Sequence, residues 1–225
     1  TRTISAGMAI DYRELASGNF DGSVAEEAAQ VQIDMNNKAV AYVLGIMKNS
    51  LANNTKYVKN YATYSGNAPT QAQVDSMVAK IRKMGKVAIL GDYGILSAIC
   101  DWNGYKTVGD AKIPFYSPAQ VDEIAKAGLN GFYKGSTLVE LANPYNYTKP
   151  LADKSGFETY YADDELYFTA AGNKSPLNIF RRGGITTMQG TDIETGTVKT
   201  RFDMEIGADV TKGREFEIGM MAKDA

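Results

Sequence analysis

Four short clusters in the sequence hold residue types that could do chemistry. Arg181-Arg182-Gly183-Gly184 sets two guanidiniums beside two flexible backbone positions, a grouping able to cradle an anion. Asp163-Asp164-Glu165 gathers carboxylate oxygens suited to a hard cation, without the alternating ligand spacing of a calcium loop. Cys100, followed by Asp101 and Trp102, is the single thiol. Gly91-Asp92-Tyr93-Gly94 could offer helix-start amides to a phosphate, but it lacks the lysine-bearing glycine loop of nucleotide enzymes. Each has a plainer reading, which the sequence favours. These are a strand end with a glycine turn, a solvated acidic turn, a small core residue and an ordinary strand-to-helix turn.

The 225 residues include no histidine. That excludes Ser-His-Asp and Cys-His nucleophile systems. It also excludes the usual zinc sites, because one cysteine cannot supply the ligands. An enzyme of this composition would have to use carboxylates, lysine or tyrosine, and would predict perturbed carboxylates converging in a pocket. No cofactor or metal is expected. The formal net charge of −2 and pI near 5.3 suggest neither a nucleic-acid-gripping surface nor a polybasic membrane anchor. No run of about 18 apolar residues is present, so no transmembrane helix is expected, and no secretory signal is visible. A single cysteine fits a reducing compartment. The first residue is Thr1, not methionine, which leads us to expect sequence ahead of it.

The longest element these residues imply runs from Ser23 to about Asn53. Ser23 and Glu26 form a capping box. Glu26 and Glu27 suit the positive end of a helix dipole and Lys48 the negative end. Val31, Met35, Val40, Val43, Leu44, Met47 and Leu51 recur at helical spacing. A helix of roughly 28 to 30 residues would be about 45 Å long, a spine for the subunit. Ahead of it, Ile4, Ala6, Met8 and Ile10 alternate as in a strand or the returning arm of a hairpin. Its partner is expected in another molecule or in sequence outside the chain.

Beyond the helix, Asn54 to Asn67 reads as a tyrosine-rich loop with room for one strand. Thr70 to Gln73 is a second capping box, opening a helix with Val74, Met77, Val78, Ile81 and Met84. Lys86 to Leu90 is a strand and Tyr93 to Trp102 a helix, giving an α/β module. Ser117 to Gln120 is a third capping box, for a helix to Ala127. Gly135 to Leu141 is a strand, and Asn143 to Gly156 a long loop. Strands follow at Glu165–Ala171, Leu177–Arg182 and Ile185–Gln189, the last two separated by Gly183-Gly184. Val198, Thr200, Phe202, Met204 and Ile206 then alternate with Lys199, Arg201, Asp203 and Glu205, one apolar face and one charged. Phe216, Ile218 and Met220 form a closing strand of an antiparallel sheet with one wet face. That charged face is read as solvated, with charge pairing to a neighbouring subunit as the alternative.

The segment Phe180 to Met221 resembles the C-terminal part of HK97-like major capsid proteins of tailed bacteriophages. The family has an Arg-x-Gly-hydrophobic strand, a turn, an arginine-bearing strand, a short turn and a final strand around an aromatic. Here these are Arg182-Gly183-Gly184-Ile185, Val198 to Ile206 with Arg201, and Phe216. Residues 1–20 look like the returning arm of the family's extended loop, and 23–53 like its spine helix. The resemblance implies an α+β fold with three segments. They are 1–54 (loop strand and spine helix, peripheral domain), 55–175 (axial domain) and 176–225 (closing sheet of the peripheral domain). It also implies an N-terminal arm and an outgoing loop strand ahead of Thr1.

By that resemblance the protein is a structural, non-catalytic subunit. It would assemble with copies of itself into pentamers and hexamers of an icosahedral head around double-stranded DNA, in the host cytoplasm and then in the virion. Scaffolding, portal and decoration proteins would be its other partners. Nothing marks a lysine–asparagine crosslink. The charged residues expected to face neighbouring subunits are Arg13, Glu14, Arg181, Arg182, Lys199, Arg201, Asp203 and Glu205, in weak, salt-dependent contacts. An encapsulin-like compartment shell is the near alternative, and a carboxylate- or lysine-dependent enzyme the more distant one.

Overall fold

The computed structural model describes residues 1–11, 24–53, 59–103, 105–108, 111–114, 131–171 and 175–224. It also describes the single positions Arg13, Ala16, Ser117, Ala119, Lys126 and Leu129. The capping residue Ser23, the third capping box and its helix fall wholly or partly outside these.

The opening strand β1 (Arg2–Asp11) pairs antiparallel with β12 (Thr197–Val210) over its whole length, from Arg2 opposite Ile206 to Asp11 opposite Thr197. This corrects the expectation of a strand without a partner in the chain. Both strands place apolar residues at every second position, so the register puts Ile4 opposite Met204 and Ala6 opposite Phe202 on one face. On the other side of β12 lies β11 (Leu177–Asp192), giving a three-stranded antiparallel sheet in the order β1-β12-β11. Gly183-Gly184 does not divide β11. The register shifts between Arg182 and Thr186, a bulge in one continuous strand, and Gly183 takes the left-handed φ of +69° that the bulge uses.

The spine helix α1 (Val24–Asn53) has Glu26 and Glu27 in its first turn. Its N-terminal half lays Val31 and Met35 on Ile4, Ala6, Met204 and Ile206. Its C-terminal half lays Met47 and Leu51 on Tyr167, Val210, Ile218 and Met220. One helix therefore backs two sheets. Val40, counted in the apolar stripe, is instead exposed, because the stripe rotates between these two contacts.

The second sheet has six strands in the order β2-β13-β10-β3-β7-β6. They are β2 (Tyr61–Tyr64), β13 (Ile218–Lys223), β10 (Glu165–Ala171), β3 (Lys86–Gly91), β7 (Ser136–Glu140) and β6 (Phe132–Tyr133). The closing strand β13 thus leaves the charged-face sheet and lies between β10 and β2. Its run Ile218 to Ala222 is buried on both faces, as a central strand requires. Phe216 lies ahead of it in a 3-10 turn (Glu215–Glu217) and is partly exposed, so the aromatic does not centre the final strand.

Helices α2 (Gln71–Ile81) and α3 (Tyr93–Asn103) cover the other face. The Thr70–Gln73 capping box forms with both hydrogen bonds. The α2 side packs closely: a Cβ on Gly219 of β13 would lie 2.6 Å from Ile81 Cδ1. Cys100 packs against this core, as its sequence context suggested. Asp92 Oδ1 accepts the Gly94 N–H at 2.8 Å, so the chain's own carboxylate caps the start of α3. The expected loop at 143–156 contains β8 (Tyr145–Pro150), paired with β9 (Phe157–Thr159). Two prolines hid this short ribbon from the sequence. A further two-stranded ribbon, β4 (Tyr105–Val108) with β5 (Ala111–Pro114), follows α3.

Candidate inter-subunit surface

The three-stranded sheet has one face on α1 and one face open. Strand pairing fixes which side chains share the open face: Thr3, Ser5 and Gly7 on β1, Lys199, Arg201, Asp203 and Glu205 on β12, and Arg182, Thr186 and Met188 on β11. Five of the eight charged residues singled out in the sequence meet here. Arg181 sits on the opposite face, across from Ile206. Arg13 is exposed beyond the end of β1, its N–H donating to Asp11 Oδ1 at 2.7 Å. Glu14 lies outside the described residues.

The open-face charges find partners within the chain. Arg201 donates from Nε to Asp203 Oδ1 at 2.7 Å and from Nη2 to Ser5 Oγ at 3.0 Å. The Ser5 hydroxyl first, and the Arg201 guanidinium second, hold the Asp203 carboxyl below its usual range. Arg182 Nε lies 3.7 Å from Glu205 Oε2. Lys199 Nζ donates to Asp192 Oδ2 at 2.7 Å, and this ammonium, with Thr195, lowers Asp192 to about 2. Two basic residues followed by two acidic ones along β12, with Asp192 and Arg182 beside them, thus give a neutralised ladder. The partners Ser5 and Asp192 were not singled out from sequence. The register of β1 on β12 and the turn after β11 would have revealed them.

Strand β11 is the unusual element. Every residue from Asn178 to Thr191 is exposed, on both faces, and its outer edge has no strand partner among the described residues. It carries Ile179 at 58%, Phe180 at 56% and Met188 at 61% exposure. Helix α1 covers β1 and β12 but leaves β11 uncovered, with a groove between them lined by Ala28, Val31, Met35, Ile185 and Phe202. A long edge with exposed apolar side chains is what soluble monomers avoid.

Two polar clusters anchor α1 and so hold this sheet against the rest. Lys48 donates to Glu165 Oε1, and the Tyr167 hydroxyl donates to Glu165 Oε2. Glu165 is buried, not part of a solvated acidic turn, and Lys48 serves it and not the helix end. Donating its hydrogen bond to Glu165 raises the Lys48 pKa, and burial, with Glu165 second, raises that of Tyr167. Near the other end, Asp34 accepts from Lys38 Nζ at 2.6 Å and from the Tyr160 hydroxyl, while Lys38 also donates to Ser5 O at 3.3 Å.

This pairing of a spine helix with an open sheet defines an HK97-like capsid fold. A structure from Microbacterium phage Oxtober96 is similar over 99% of this chain and 72% of its own, with a TM-score of 0.61 and 10% identity. The capsid of an empty GTA particle is similar over 100% and 74%, at 0.58 and 14%. The SrpI encapsulin of Synechococcus elongatus PCC 7942 is similar over 98% and 73%, at 0.55 and 11%. No curated protein matches the sequence. Over residues 1–222 the chain belongs to the family described as "SPbeta prophage-derived putative capsid protein YonB". Family and fold together point to a structural role in a phage-type shell.

Proposed function

We propose that the protein is the main shell-forming subunit of a phage head, joining copies of itself head to tail in pentamers and hexamers that close around double-stranded DNA. The observation that carries this reading is β11: fourteen consecutive exposed residues, several apolar, paired on one side with β12 and without a strand partner on the other among the described residues. Head-to-tail contacts generate rings when the rotation closes. The segments 1–54 and 176–225 would form the peripheral part and 55–175 the axial part. Arg181, Arg182 and the Lys199–Glu205 strand, with Arg13 and Glu14, are proposed to face neighbours, where weak and salt-dependent contacts permit error correction. The modest acidity suits a shell that encloses DNA without gripping it. Scaffolding, portal and decoration proteins are the proposed further partners, with assembly in the host cytoplasm.

Electron microscopy and light scattering on the full-length protein test this. Closed shells, or rings of five and six, are expected, with nuclease-protected DNA inside particles made in infected or induced cells. A monodisperse monomer at high concentration, unchanged by co-expressed head-assembly proteins, would sink the proposal. The similarity to an encapsulin favours a second reading, a compartment shell. Particles that hold a protein cargo and no nucleic acid would decide for it.

A further inference from the structure

The turn joining β11 to β12 carries Ile193, 92% exposed, the most exposed large apolar side chain among the described residues. Beside it, the Glu194 N–H donates to Asp192 Oδ1 at 3.1 Å, and Asp192 is itself held by Lys199. The turn is therefore fixed, while the Glu194 carboxylate has no ion-pair partner among the described residues. A fixed turn bearing an apolar side chain and an unpaired carboxylate is a two-part plug.

A complementary socket lies elsewhere on the molecule. A groove of about 530 Å³ opens between α1, the start of β1 and β8. Ile4, Tyr42 and Ile46 supply apolar surface, Arg2, Lys38 and Lys149 supply positive charge, and among the described residues no carboxylate lines it. Lys38 is held by Asp34, and Lys149 lies 3.7 Å from Glu158. Arg2 stands 5.9 Å from the centre of the Tyr42 ring and has no carboxylate partner among the described residues. The tip cannot reach its own groove. Arg2 lies opposite Ile206 and Asp11 opposite Thr197, so the two ends are about 30 Å apart along the sheet.

We infer that the Ile193–Glu194 tip of one copy docks in the Arg2–Lys38–Lys149 groove of a second copy. The inference rests on the shell reading above and names one of its contacts. The surfaces differ, so the contact is head to tail and can propagate around a ring. Ile193 would lose its water against Tyr42 and Ile46, while Glu194 facing Arg2 would set orientation and exclude reversed pairings.

Charge exchange in the full-length protein tests it. Glu194→Arg and Arg2→Glu are each expected to raise the concentration needed for assembly by about tenfold or more. The double variant R2E/E194R is expected to restore it, with thermal melts unchanged throughout. In a Cys100→Ser background, Ile193→Cys with Ile46→Cys should give a disulfide-linked ladder of subunits only when both are present. Normal assembly of both single variants would overturn the docking, as would failure of the folded double variant to recover. Crosslinks from Ile193→Cys alone would also overturn it, by placing tip against tip. If the unaltered protein does not assemble under any condition, the shell reading itself falls, and the docking with it.

Discussion

The two sheets of this molecule are finished to different degrees. In the six-stranded sheet, β10 is buried on both faces: Leu166 and Phe168 face the core under α2 and α3, and Tyr167 faces α1. Neighbouring β13 does the same, with Met221 on one side and Ile218 and Met220 on the other. The three-stranded sheet has one covered face over two of its strands, and β11 has none. Closed burial makes the first region the source of folding energy. In the proposed shell, the open edge and apolar side chains of the second are the surface left for another copy. On that proposal the subunit separates what folds it from what assembles it.

The sharpest way to break that division is to cut equal side chains from each sheet. Phe168→Ala should cost about 3–5 kcal/mol in denaturant unfolding, because a fully buried ring leaves a cavity. Phe180→Ala on β11 should stay within about 0.5 kcal/mol and act on assembly instead. If Phe180→Ala destabilised the isolated subunit as much as Phe168→Ala, β11 would belong to the folding core.

The joint between the regions comes next in size. Glu165→Ala leaves Tyr167 and Lys48 without their acceptor. We expect a loss of about 2 kcal/mol, below the full figure for a buried pair because Lys48 is partly in water. Glu165→Gln should recover part of it through the Tyr167 hydroxyl. Equal losses for the two variants would mean that the hydroxyl contact contributes nothing.

Much of this division was legible in the sequence, though not the joint. The spine helix announced itself through its periodicity, and β12 through its clean alternation, because each pattern is local. The partner of β1 lies almost two hundred residues away, and no local rule points to it. Lys48 and Glu165 meet across 117 residues, beyond any local rule, so the lysine was assigned to the dipole. The change of sheet by β13 did leave a trace: Ile218 to Ala222 is nearly continuous in apolar residues, the mark of a strand buried on both faces. The exposure of β11 left none. Ile179, Phe180 and Met188 lie in the expected strands 177–182 and 185–189, and only the position of α1 shows that nothing among the described residues covers them. The charged residues on β12 were found, but their partners Ser5 and Asp192 depended on register.

Alkaline pH should act on the closed region. Burial, followed by the carboxylates at Asp164, Asp163 and Glu165, pushes Tyr64 up to about 12. Lys48 is raised by its bond to Glu165. Both groups hold their protons more tightly when folded, so their contribution is complete below about pH 10 and fades as pH climbs toward 12. The denaturation midpoint should fall across that window. Tyr64→Phe should flatten the fall, although it also removes the hydroxyl bond to Asp164 O at 2.6 Å. An unchanged slope in Tyr64→Phe would assign the alkaline loss to other groups.

The smallest effect belongs to the open sheet. Asp192 titrates near 2 because Lys199 and Thr195 bind its ionised form. Its contribution is present above the ordinary carboxylate pKa near 4 and is lost as pH falls toward 2. The group sits in water, so global unfolding should barely register it. Carboxyl NMR titration of the unassembled subunit should. Lys199→Ala is expected to move the Asp192 midpoint up toward its ordinary value and leave the unfolding midpoint at neutral pH unchanged. An Asp192 midpoint unmoved by that substitution would mean the ladder on the open face is not formed in the free subunit. Its charges would then be available to neighbours, and the open sheet would be unfinished in its electrostatics as well as in its packing.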